Sequence, residues 1–169
     1  HIRSYLMSTP IYESDEDRRK QQAVAEFVAS KWSAVAVPAG SLAQHDYALC
    51  RHDHKDDKLY AHAYIEIKCR SEHRPDYWLS KVKWDYLMDL SNMTDRPAFL
   101  IVHCAKSDLV RYAKVGVEQF YPKVISAGRS DRPDDPKAIE DMVVLPLGRF
   151  RSLGCLRKPD VGSDEPVTG

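Results

Sequence analysis

The chain has 169 residues, 43% of them hydrophobic and 30% charged, with 25 Lys plus Arg balanced by 25 Asp plus Glu. That suits one ordinary domain with a real core, and it excludes a disordered chain, a fibrous chain and one that coats nucleic acid by bulk charge. The longest apolar runs, 98–102 and 142–147, fall far short of the ~20 residues that cross a bilayer, and no secretory leader is evident, so the expected setting is the cytoplasm, with no membrane partner.

Residues 1–6 read like a cloning scar ahead of Met7, and a single domain is expected over 7–157. Ser14 followed by Asp15, Glu16 and Asp17 is a capping signal with acids in the first turn. With Val24, Phe27, Val28 and Trp32 at helical spacing, it predicts a helix over 15–32. Two short strands follow over 34–37 and 45–50, separated by the turn Pro38-Ala39-Gly40, and the polar stretch 51–58 reads as a hairpin loop. From 60 to 70 the chain alternates strictly: Ala61, Ala63, Ile65, Ile67 and Cys69 interleave with Tyr60, His62, Tyr64, Glu66, Lys68 and Arg70. Period two means a strand with one aliphatic face and one face of aromatic, acidic and basic groups. Ser80 is an N-cap for a helix to about Asn92, with Val82, Tyr86, Leu87 and Leu90 as its apolar stripe. A buried strand over 98–104, a partner over 109–117, and a final strand with a turn over 142–150 complete the order. The Pro- and Gly-rich tail 158–169 is expected to be disordered. Strands grouped around a covering helix give an α/β (α+β) domain with a mixed central sheet flanked by helices, in the order α-β-β-β-α-β plus extra C-terminal strands.

Glu66 and Lys68 leave the same strand face, separated by roughly 6–7 Å of backbone rise. Burying both is costly unless they pair with each other or hold something, so the ordinary reading is a solvated edge strand. Asp46, across the hairpin loop, changes the balance, because antiparallel pairing would bring its carboxylate beside that of Glu66. Two close carboxylates repel unless a cation lies between them, and hard oxygen ligands suit Mg²⁺. Lys68 could then orient or help deprotonate an attacking water.

Asp46, then about twenty residues, then Glu66-Ile67-Lys68, with a capped helix before and a second helix after, resembles the PD-(D/E)xK nuclease superfamily, in the branch of Holliday junction resolvases and phage nucleases. The resemblance covers about residues 14–104. It implies a restriction-endonuclease-like core and a metal held by Asp46, Glu66 and the backbone carbonyl of Ile67, with Lys68 beside the water. It also implies hydrolysis of DNA phosphodiester bonds with Mg²⁺, Mn²⁺ being able to substitute, and a homodimer as the resolvase-like assembly. His45 stands where the family name has proline. Relatives often place a glutamate on the first helix, and the matching position here is Gln21. Either Gln21 serves in its place, holding a water by the metal, or Asp17 or Glu26, about one turn away, supplies the acid. The alternative function is an inactive nuclease-fold module that binds nucleic acid or serves in phage assembly; an unrelated small-molecule role is the third.

Between 69 and 84 cations mix with aromatics. Arg70, Arg74, Lys81 and Lys83 are candidate phosphate contacts, and similar nucleases often carry a lysine at the position of Lys83. Trp78 and Trp84 read first as core anchors and second as stacking platforms. His52-Asp53-His54 reads as a solvated turn, His103 as a satisfied core histidine, 128–135 as a surface loop, and Cys50, Cys69, Cys104 and Cys155 as free thiols. Signatures of ATP hydrolysis, dinucleotide binding and serine hydrolysis do not occur.

Overall fold

The computed structural model describes residues 14–116, 123–128 and 139–157. The scar read at 1–6 and the tail at 158–169 lie outside these residues, as does most of the 128–135 loop. The element order is α1 (Asp15–Lys31), β1 (Val35–Pro38), β2 (Tyr47–Asp53), β3 (Lys58–Arg70), β4 (Asp76–Ser80), α2 (Lys81–Thr94), β5 (Ala98–Cys104), β6 (Leu109–Lys114), β7 (Lys123–Gly128), β8 (Ile139–Pro146), a 3-10 turn (Leu147–Arg149) and β9 (Arg151–Cys155). None of these helices is long and apolar enough to cross a membrane.

Both helices start where the sequence predicts. Ser14 and Asp17 form a reciprocal capping box, with the Asp17 N–H donating to Ser14 Oγ at 3.1 Å and the Ser14 N–H donating to the Asp17 carboxylate at 3.3 Å. Ser80 Oγ accepts from the Lys83 N–H at 3.3 Å to start α2. The first sheet has the strand order β1-β2-β3-β5-β6-β9, in which only β3 and β5 run parallel. β3 is therefore a central strand, not the solvated edge strand of the ordinary sequence reading.

Two cores lie on the two faces of this sheet. On one face Val24, Ala25, Val28 and Ala29 of α1 pack on Leu49, Ala63, Ile65, Ile67, Ile101 and Val110. On the other, Trp84 and Leu87 of α2 pack with Leu100 and Val102, and this core continues into Tyr77, Leu79, Val143 and Leu145 of a second sheet, ordered β4-β8-β7. β5 faces both cores, which explains its unbroken apolar run.

Three sequence expectations need correction. Residues 76–80, where the sequence reading places no strand, form β4, with Tyr77 and Leu79 buried and Trp78 exposed, and β4 pairs with β8. The loop over 51–58 is narrower, since β2 runs to Asp53 and β3 begins at Lys58. Its polar composition reflects hairpin arms whose two faces are both solvated over residues 51–60. The strand at 142–147 is not the last, because the chain turns through Leu147–Arg149 and returns as β9 against β6.

Candidate active site

β3 carries the sequence-predicted acid and lysine on the face turned to α2. Glu66 is 6% exposed. Its Oε1 accepts from Lys83 Nζ at 2.6 Å, whereas its buried Oε2 has no hydrogen-bond partner among the described residues.

Asp46 lies one residue before β2 rather than within it. Its backbone N–H donates to Ile65 O at 3.0 Å, and its C=O accepts from the Ala39 N–H at 3.0 Å. Since Tyr47 pairs with Ile65, Asp46 falls opposite Glu66. Asp46 Oδ2 accepts from the Ile67 N–H at 2.7 Å. In an extended strand the N–H and C=O of one residue leave the same edge, so the Ile67 carbonyl also turns toward Asp46. The Ile67 side chain points the other way, into the core under α1. Next to Asp46, His45 Nδ1 lies 3.0 Å from Tyr86 Oη, tying this turn to α2.

The electrostatics follow from this crowding. Burial, and then the Asp46 carboxylate, push the Glu66 carboxyl up to about 8 despite the Lys83 ammonium. Lys68 donates to Trp78 O at 2.8 Å and sits over the Tyr77 ring, 5.2 Å from its centroid. Burial, followed by Arg70 and Arg74, lowers its ammonium to about 8. A carboxyl pushed up by a neighbouring carboxylate marks a place where a cation would relieve the repulsion, and an ammonium held down gives up its proton more readily. The donor set fits a divalent ion: two carboxylates that repel, an unpartnered carboxylate oxygen, and a carbonyl turned to the same place. No cluster of three or more His, Cys, Asp or Glu side chains that could hold a metal occurs among the described residues. The third protein ligand would have to be the Ile67 carbonyl.

The remaining candidate is Gln21. It is half-buried on α1, one turn before Val24, and α1 covers the aliphatic face of β3, opposite Glu66. Asp17 is engaged in the capping box, and Glu26 accepts from Gln22 at 3.0 Å on the exposed side.

Beside Lys68, a cavity of about 590 Å³ is lined by Arg70, Arg74, Glu72, Asp76 and Trp78, among others. The Arg70 guanidinium donates to Asp76 O at 2.7 Å, and Arg74 is exposed. Lys81 pairs with Asp85 at 2.6 Å. Lys83, the other candidate phosphate contact, donates to Glu66 Oε1. Trp84 is a core anchor, 5% exposed, but Trp78 is 38% exposed, so the first reading of Trp78 is corrected: it is an available ring at the cavity edge. The alternation Tyr77-Trp78-Leu79 was the signal that could have found it. His52 is bound to Asp57 at 2.6 Å in an exposed turn, and buried His103 to Asp108 at 3.1 Å. The four cysteines form no disulfide among the described residues, and Cys155 is exposed.

A family model described as "Phage putative PDDEXK endonuclease" matches residues 7–153. No curated protein matches the chain. Among solved structures, a nuclease from a fusselovirus is similar at 14% identity, with 85% of this chain and 90% of that chain covered and a TM-score of 0.51. The Holliday junction resolvase Hjc of Archaeoglobus fulgidus is similar at 12% identity, with 81% and 88% covered and a TM-score of 0.48. The first of these shares the fold, a restriction-endonuclease-like mixed sheet between helices. With most of its length matched, the chain belongs to the phage PDDEXK endonuclease family.

Proposed function

We propose that the protein is a Mg²⁺-dependent nuclease that hydrolyses DNA phosphodiester bonds, acting in the cytoplasm of a phage host. The observation that carries this reading is the buried Glu66 carboxyl, held up to about 8 beside Asp46 with one oxygen unpartnered. Asp46, Glu66 and the Ile67 carbonyl would hold the ion. When bound, the ion would polarise a phosphoryl oxygen and stabilise the negative charge of an in-line displacement. Lys68, lowered to about 8, is partly neutral near neutral pH and can take the proton of the attacking water. The Trp78 carbonyl holds its amine in place. Arg70 and Arg74 neutralise flanking phosphates, and the exposed Trp78 ring offers a stacking surface.

The test is incubation with linear, circular, nicked and branched DNA, with and without Mg²⁺ and a chelator. Cleavage is expected only with the ion, and Asp46→Ala, Glu66→Ala and Lys68→Ala should each abolish it with the circular dichroism spectrum unchanged. Wild-type cutting by Glu66→Ala sinks the assignment. A second reading, a module that grips nucleic acid without cutting, is favoured by the neutral Gln21 on α1, where relatives often carry a glutamate. It predicts negligible Mg²⁺ and Mn²⁺ binding by calorimetry.

A further inference from the structure

α1 leaves part of its face of the sheet uncovered. Past its C-terminal end a cavity of about 480 Å³ opens at the end of the sheet where β5 begins. Three half-buried rings form its floor. Trp32, the C-cap of α1, lies 4.8 Å from Phe99 and 5.2 Å from Tyr112 between ring centroids. Phe99 and Tyr112 pack against the α1-side core, so this floor faces away from Glu66 and Lys68.

The rim is cationic: Arg51, Lys114, Arg149 and Arg151 line it, and among the described residues no acidic side chain does. All four are exposed. Arg51 donates to the Trp32 carbonyl at 3.0 Å, which places its charge at the edge of the rings. Lys114, Arg149 and Arg151 form no ion pair among the described residues. In a chain whose positive and negative charges balance, a cavity to which the described residues bring four cations and no acid is a local excess built around an aromatic floor. Rings that accept a flat apolar group, beside cations that neutralise an anion attached to it, match a nucleotide. An unpaired base shows its π-face, whereas a base in a duplex hides both faces in the stack.

We propose that this cavity anchors an unpaired nucleotide of single-stranded DNA, on the sheet face opposite the cleavage centre. The proposal rests on the reading of the protein as a DNA nuclease, and it assigns this face to holding a flap or overhang while the other face cuts. The test is fluorescence polarisation of a labelled oligothymidylate with the full chain in chelator, so that binding is read without cleavage. The double variant Arg149→Glu/Arg151→Glu, both positions being exposed, should lose about tenfold or more in affinity and show a shallower salt dependence. Its melting temperature and its cutting of blunt duplex should be unchanged. An abasic strand of equal length, with the same phosphates and no bases, should bind about tenfold more weakly than oligothymidylate.

Unchanged affinity in the double variant overturns the proposal, and equal binding of the abasic strand reduces the cavity to a charge patch and does the same. Thymidine monophosphate binding as tightly as the oligonucleotide would make it a free-nucleotide site, which also overturns it. A protein that binds strands through these arginines but never cuts DNA leaves this inference standing while the proposed function fails; one that cuts yet ignores these arginines does the reverse.

Discussion

The two faces of β3 share one backbone and are made of different chemistry. Toward α1 the strand presents Ala63, Ile65 and Ile67, exposed by 7%, 0% and 4%, which pack on Val24 and Val28 and need nothing beyond close contact. Toward α2 it presents Glu66, as thoroughly buried, crowded by one carboxylate and answered by one ammonium. The first face stabilises the domain. The second works against stability and is tolerable because the first holds the strand in the middle of the sheet. The tension between the faces is electrostatic, so exchanging charge for neutral polarity on one and size for emptiness on the other should have opposite consequences.

The largest effect is expected from Glu66→Gln. Cleavage should fall by about 100- to 1,000-fold or more, since the carboxylate proposed to hold the cation becomes a neutral amide. Stability of the metal-free protein should move the other way. The folded carboxyl keeps its proton up to about 8, whereas its ordinary value is 4.5. Its contribution is therefore fully present below about 4.5 and lost as pH rises through about 8. Wild type should lose up to roughly 3–5 kcal/mol over that window from this group alone, and Glu66→Gln should flatten the loss in denaturant titrations at several pH values. Added Mg²⁺ should flatten it in the wild type. An identical pH profile for the variant would show that the burial of Glu66 carries no such cost.

The mirror experiment is Ile65→Ala on the aliphatic face. The side chain is wholly buried, so its truncation should cost about 2–5 kcal/mol. Cleavage per folded molecule should stay within about twofold of wild type, because Glu66 is adjacent in sequence but opposite in direction. A loss of cleavage that exceeds the loss of folded protein would mean that the two faces are coupled.

The difference between these faces was legible before any coordinates, because strict alternation over 60–70 separates aliphatic from charged positions whatever the strand pairs with. Both helix starts were legible for a similar reason: Ser14 and Ser80 act on backbone groups three residues away, and local chemistry writes itself locally. What surrounds the strand was not legible. Alternation cannot distinguish an edge from a centre, and Glu66 became buried through the parallel pairing of β3 with β5, whose partner residues lie more than thirty positions apart. β4 was missed because five residues rich in aromatics next to a helix cap look like a helix entrance; its partner β8 comes some sixty residues later. Gln21 was placed by helical phase alone, which tells what α1 buries but not which face of the sheet α1 covers.

Lys83 sharpens the comparison at the smallest scale. Its Nζ lies 2.6 Å from Glu66 Oε1, with the side chain one-third exposed at 33%, so in the metal-free protein its ammonium is hydrogen-bonded to the buried carboxyl and opposes the upward push of burial and Asp46. A divalent ion between Asp46 and Glu66 would take over that role and repel the ammonium. Lys83→Met should therefore raise Mg²⁺ or Mn²⁺ affinity by about 3- to 10-fold in calorimetry, since a nearby positive charge and a competitor for Glu66 disappear together. DNA affinity in chelator should drop only about severalfold, as for the loss of one phosphate contact. The sign of the metal effect decides between two roles. Tighter binding makes Lys83 a placeholder for the ion, while weaker binding makes it the group that keeps Glu66 ionised and aimed, and the charged face of β3 would then be assembled before any metal arrives rather than by it.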